Sequence, residues 1–172
     1  MATQVNVLFI NGWGGAITST SLAGLRNSTV SKFGSKIYSP PPVNHQETGL
    51  ILKYLEKWND AQILVGLSCG CSTINLIAQH AQKGERIPYA MYCSPSMYCG
   101  LGYVPPMIER ATQVTSWGLD FFNPGSRMLV QRASNNQLTQ IDKMQTSAAH
   151  GWTPGAAGVR ERLWKEIDRA LA

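Results

Sequence analysis

Short apolar runs alternate along this chain with stretches in which apolar residues recur every three or four positions. Residues 5–11 are a β-branched and aromatic run ending at Gly12-Trp13-Gly14-Gly15, which predicts a strand followed by a glycine-rich loop. Leu22, Leu25, Val30 and Phe33 predict a helix over 21–33, stopped by Gly34. A second short strand is expected at 36–38, closed by Pro40-Pro41-Pro42. Leu50, Ile51, Tyr54, Leu55 and Trp58 mark a helix over 46–58. Residues 61–67 read as the third strand, with a helix over 70–83 behind it, and 88–93 as the fourth strand. Residues 94–124 read as irregular, rich in Tyr, Met, Gly and Pro, with a short helix near 106–111. A fifth strand is expected at 127–133, and a last helix over 154–172 with Val159, Leu163, Trp164, Ile167 and Leu171 on one face. Strands that alternate with helices predict an α/β domain spanning 1–172. It would be a three-layer sandwich with a central parallel sheet of about five strands and helices on both faces.

Composition narrows the partners. A hydrophobic content of 44% with 15% charged residues is that of a compact globular chain. The longest apolar runs are strand-sized, so no integral membrane segment is expected. The N-terminus enters a strand pattern directly and no signal peptide is visible. A cytoplasmic location is therefore the expectation, the compartment being otherwise unassigned. The net charge of +5 is spread out and not interleaved with aromatic residues, so no nucleic-acid partner is expected and at most a weak preference for anionic surfaces. No histidine stands at zinc-ligand spacing from the cysteine pairs, and no metal is expected. Cys69 and Cys71 read as small core residues. Cys93 and Cys99 lie close in the sequence and could bridge in an oxidising compartment, but without a signal sequence free thiols are expected.

The chemistry concentrates in Leu64-Val65-Gly66-Leu67-Ser68-Cys69-Gly70, where an apolar run ends in Gly-x-Ser-x-Gly and a helical pattern follows. A turn that tight leaves no space for side chains two residues before or after the serine, and glycine removes them. It would set the Ser68 hydroxyl at a helix N-terminus, whose free N–H groups favour developing negative charge. Gly12-Trp13-Gly14-Gly15 lacks the spacing and the Lys-Ser/Thr ending of a phosphate loop.

The run from Val7 to Gly15, Gly66-x-Ser68-x-Gly70 and the late His150 resemble, in order, the oxyanion loop, nucleophile elbow and catalytic histidine of the α/β-hydrolases. Asn11 stands where a histidine is common in that family. The small size resembles cutinases and small serine esterases. The resemblance implies a sheet order of second, first, third, fourth and fifth strands, with the site at their carboxyl ends. It implies an ester hydrolase that needs no cofactor, with Ser68 as nucleophile, His150 as acid and base, and the N–H groups of Trp13 and Cys69 as oxyanion donors. The family's acid position, after the expected fifth strand, reads Ser134-Asn135-Asn136. Asn136, fourteen residues before His150, is the best match, with Asp142 and Asp120 as alternative acids. An asparagine can orient an imidazole but cannot offset its charge. Tyr98, Leu101, Tyr103 and Met107 are expected to wall an open or shallow acyl pocket. The substrate would be a small-molecule or polymeric ester, and the oligomeric state is not legible. The missing carboxylate supports an alternative: a weak or inactive hydrolase-fold protein kept as a binding or assembly module.

Overall fold

The computed structural model describes residues 4–12, 15–56, 61–81, 85–96, 99–100, 103–116, 131–132 and 138–172. The apolar runs become strands β1 (Val5–Asn11), β4 (Ala61–Leu67) and β5 (Arg86–Cys93), the first two buried along their whole length. Between them lie helix α1 (Gly15–Phe33), short strands β2 (Ile37–Tyr38) and β3 (Val43–Asn44), and helices α2 (Thr48–Leu55) and α3 (Gly70–Gln79). Then follow β6 (Tyr103–Val104), β7 (Ile108–Thr115), β8 (Gln131–Arg132), β9 (Gln140–Gln145), a 3₁₀ turn at His150–Gly155 and α4 (Val159–Leu171).

The main sheet runs β2-β1-β4-β5-β7-β9, with β3 paired to the end of β1, and every pairing is parallel. The order of the first four expected strands is thus as read from the sequence. Successive side chains of β1 face opposite sides, as a strand requires. Val5, Val7 and Phe9 join Leu22 and Leu25 of α1 and Val159, Leu163 and Ile167 of α4. Leu8 and Ile10 join Ile51 of α2 and Ile74 and Ile77 of α3. These two cores make the three layers. Trp164 ties α4 to α1, edge-on to Phe33 at 6.3 Å and donating to Thr29 Oγ1 at 3.0 Å. Such a ring pair contributes about 0.5–1.5 kcal/mol beyond its buried area. Pro88 is tolerated inside β5 because the β4–β5 register shifts by one residue beside it.

The second half of the sheet departs from the sequence reading. The fifth strand is β7, where irregular chain and a short helix near 106–111 were expected. Of the expected strand at 127–133 the described part is β8, which pairs with β6 in a separate two-stranded sheet. A sixth strand, β9, closes the order. Both misreadings have one cause: polar residues whose partners are distant in sequence. Arg110 within β7 donates twice to Glu166 of α4, at 2.6 and 3.0 Å, and Thr112 donates to Asp142 of β9 at 2.6 Å. These pairs let charged residues sit in strands that show no apolar alternation.

The turn after β4 tests the packing most directly. A Cβ on Gly66 would stand 2.7 Å from the Gly70 carbonyl oxygen, and one on Gly70 would collide with the Ile10 carbonyl oxygen. Gly24, in α1, has nothing within 4 Å of such an atom. Gly70→Ala should therefore lower stability by about 3 kcal/mol, while Gly24→Ala should raise it by about 0.5–1 kcal/mol. Urea unfolding of the two variants beside the parent chain checks both signs.

Candidate functional site

Ser68 is the first residue beyond β4, and its φ of 55° lies in the left-handed region that serine rarely adopts. The surroundings hold it there. Its N–H donates to the Cys93 carbonyl at the end of β5, at 2.9 Å, and its carbonyl accepts from the N–H of Cys71 at 3.0 Å. Gly12, just past β1, closes the other side: a Cβ there would stand 2.8 Å from the Ser68 Cβ and 3.1 Å from the Cys69 nitrogen. The ends of three parallel strands thus meet at one serine, at the N-terminus of α3.

His150 arrives from 82 residues away, and its Nε2 lies 2.8 Å from Ser68 Oγ. It opens a 3₁₀ turn that several hydroxyl groups fasten to the rest of the molecule. Ser21 Oγ donates to the Gly151 carbonyl at 2.6 Å, anchoring the turn to α1. Ser94 Oγ and Thr153 Oγ1, both buried, share a hydrogen bond at 2.8 Å. Thr146 Oγ1 donates to the Thr115 carbonyl and accepts from the Ala148 N–H. Ser94, the residue after β5, is also left-handed, with φ 46°. A groove of about 470 Å³ lies between α1 and the segment from Pro154 to Glu161, and neither Ser68 nor His150 lines it.

The other residues expected at the site fare unevenly. Trp13, Tyr98, Leu101, Asp120 and Asn136 lie outside the described residues. Asp142 is not brought to His150. It sits within β9, one carboxylate oxygen accepting from Thr112 and the other paired with Arg162. Met107 is a correction. It immediately precedes β7, at the amino end of a strand parallel to β4, whereas Ser68 follows the carboxyl end. There it packs against the core under α2 and α3, not against Ser68. Tyr103 lies in β6 and is largely exposed.

His80 ends α3, opposite to Ser68. His45 follows β3, and its N–H donates to the Asn11 carbonyl at 2.9 Å. Burial holds its imidazole below the ordinary histidine value, against the carbonyls of Asn11 and Gly12, which favour the protonated form. Among the described residues, no group of three or more His, Cys, Asp or Glu comes together to hold a metal ion, and no helix is long and apolar enough to cross a membrane.

The cysteines correct a second expectation. Cys69, directly after Ser68, forms a disulfide with Cys99, at a Cα separation of 5.4 Å, while Cys71 and Cys93 are the buried free thiols. Free thiols were expected, with Cys93 and Cys99 as the pair able to bridge in an oxidising compartment, but the parallel crossover through α3 sets Cys69 beside the chain that leaves β5. By chain entropy, a cross-link of this span stabilises the fold by about 3–4 kcal/mol. Burial pushes the Cys93 thiol up to about 12, and the Cys71 thiol well above its usual range, with Cys93 adding to the effect. Ser94, Thr153 and Ser21 went unnoticed in the sequence, where isolated hydroxyl residues carry no pattern.

No protein-family model and no curated sequence matches the chain. Among solved structures it is similar to a protein described as a YdeN-like hydrolase, from Pectobacterium atrosepticum, with a TM-score of 0.59 and 14% identity over 96% of this chain and 92% of that one. It is also similar to a cutinase-like protein from Cryptococcus sp., with a TM-score of 0.51 and 12% identity over 98% and 95% of the two chains. Both are of the α/β-hydrolase type, and that is the fold of this chain.

The thiol assignment predicts a stepwise titration. A thiol reagent such as Ellman's should find no fast-reacting cysteine in the native protein, because the two free thiols are buried and protonated at neutral pH. Unfolding in urea should release two, the free pair, and unfolding with prior reduction all four cysteines.

Proposed function

We propose that this protein is a serine hydrolase that cleaves carboxylic esters of a small molecule or a polymer through an acyl-enzyme. The observation that carries the reading is the 2.8 Å approach of His150 Nε2 to the hydroxyl of a serine held in a left-handed turn. A serine hydroxyl is a weak nucleophile until a base takes its proton, and an imidazole at that distance is such a base. The likeness in fold to a hydrolase and to a cutinase-like protein supports the same conclusion.

In this reading Ser68 Oγ attacks the ester carbonyl while His150 Nε2 accepts its proton. The carbonyl oxygen becomes an oxyanion, received by the N–H of Cys69 at the start of α3 and, in the proposed arrangement, that of Trp13. Collapse of the intermediate breaks the bond to the alcohol, which leaves with the proton from His150. Water then repeats the sequence on the acyl-enzyme, releasing the carboxylic acid and restoring Ser68. Asn136 is the proposed orienter of the imidazole. Its amide can hold the ring but supplies no negative charge, so a modest turnover is expected.

A fluorophosphonate probe should label the wild-type chain and fail to label Ser68→Ala, and His150→Ala should lower ester turnover by about 10⁴-fold or more. Equal labelling of wild type and Ser68→Ala removes Ser68 from the chemistry. No labelling of folded wild type leaves the non-catalytic reading in its place. Asn136→Asp should raise kcat about tenfold or more, since an acid replaced by its amide in this position costs up to about 10⁴-fold. An unchanged kcat would move the orienting role to Asp120.

A further inference from the structure

We infer that Cys93, Ser94 and Cys99, three attachment points on the chain that leaves β5, act together as a positioning strap. Through the Cys69–Cys99 disulfide and the Ser94–Thr153 hydroxyl pair, it holds the Cys69 N–H and the His150 imidazole in register about Ser68. The inference rests on the reading of Ser68 as the nucleophile and adds the residues that keep its two partners in place.

Three attachments define the strap, and each falls on or beside a reacting group. The Cys93 carbonyl accepts the N–H of Ser68 at 2.9 Å. Ser94 Oγ shares a hydrogen bond with Thr153 Oγ1, three residues beyond His150. Cys99 is bonded to Cys69, the residue after Ser68 and the donor assigned to the oxyanion. The hydrogen bond from Ser68 fixes the near end of the strap and the disulfide its far end, so both ends sit on the serine turn. Between them, Ser94 reaches out to the turn that carries the base. Ser94 is also one of only two non-glycine residues with positive φ among the described residues, the other being Ser68. Strained backbone of this kind persists where the surroundings over-determine it, and it gathers at functional sites. The cross-link is attached to the residue next to the serine.

The strap makes the site dependent on the oxidised state. A dithiol reductant attacks one sulfur of the cystine to give a mixed disulfide. Its second thiolate then displaces the protein sulfur, leaving Cys69 and Cys99 as two thiols and the reductant as a cyclic disulfide. Cys71 and Cys93 stay outside this exchange, because both are buried. After reduction the strap keeps its hydroxyl link to Thr153 but no longer restrains Cys69. Displacement of a transition-state donor by about 1 Å costs on the order of a hundredfold, so a partial loosening should cost about tenfold in kcat.

The test compares the full-length protein, oxidised and after dithiothreitol, by p-nitrophenyl acetate hydrolysis and fluorophosphonate labelling. Mass spectrometry after alkylation verifies that Cys69 and Cys99 alone are modified, and circular dichroism verifies the fold. We expect kcat and the labelling rate to fall about tenfold with KM nearly unchanged. The Cys69→Ala/Cys99→Ala double variant should reproduce that fall and no longer respond to reductant. If reduction unfolds the chain, Ser94→Ala and Thr153→Val, with the cystine intact, decide the matter. Each should lower kcat about fivefold at constant KM. A folded reduced protein with unchanged kcat and labelling, a loss confined to KM, or Ser94 and Thr153 variants of undiminished kcat would overturn the inference. Absence of labelling in the oxidised wild type would overturn the nucleophile reading and this inference with it, whereas labelling that is indifferent to reductant removes the strap alone.

Discussion

Backbone crowding at the carboxyl end of β4 governs much of what surrounds it. Helix α3 starts so close to β1 that a Cβ on Gly70 would collide with the Ile10 carbonyl oxygen, and one on Gly66 or Gly12 would meet its nearest neighbour at 2.7 or 2.8 Å. The chain can pass there only by a turn tighter than ordinary side chains allow, and Ser68, at its apex, takes up the strain as a left-handed residue. The serine is exposed enough to react because its neighbours have been stripped to backbone. Any rebuilding of this corner has to move β1, β4 and α3 together.

Parallel strands bring a second consequence. Every strand of the main sheet points the same way, so the loops that leave β1, β4 and β5 emerge on one edge, where open α/β sheets gather ligands. His150 reaches that edge from the far flank of the sheet, after β9, on a turn that α1 anchors through Ser21 and β5 through Ser94. Two layers therefore cooperate at the serine. The sheet supplies Ser68 and the carbonyl of Cys93, and the layer of α1 and α4 supports the histidine.

The sequence is most legible where local pattern and burial agree. β1 and β4 are continuous apolar runs in the middle of the sheet, and the spacing of Val159, Leu163 and Ile167 matches the buried face of α4. Glycine spacing around Ser68 marked the turn because its cause is steric and local. β7 and β9 were missed because their polar residues are neutralised by partners far along the chain, Arg110 by Glu166 and Asp142 by Thr112 and Arg162. The same blindness misplaced Met107, since chain order does not say at which end of a strand a residue falls. It also missed the meeting of Ser94 with Thr153, whose proximity exists only in the folded molecule.

The disulfide also bears on how the chain reaches its native state. Cys69 and Cys99 follow two adjacent strands of the same crossover, so the pairing of β4 with β5 and the packing of α3 set them side by side in the native fold. Four cysteines can pair in several ways, yet that crossover also buries Cys71 and Cys93 and withdraws them from exchange. The native topology thus favours a single partner for Cys69, and oxidation adds a covalent seal to the sheet so wound.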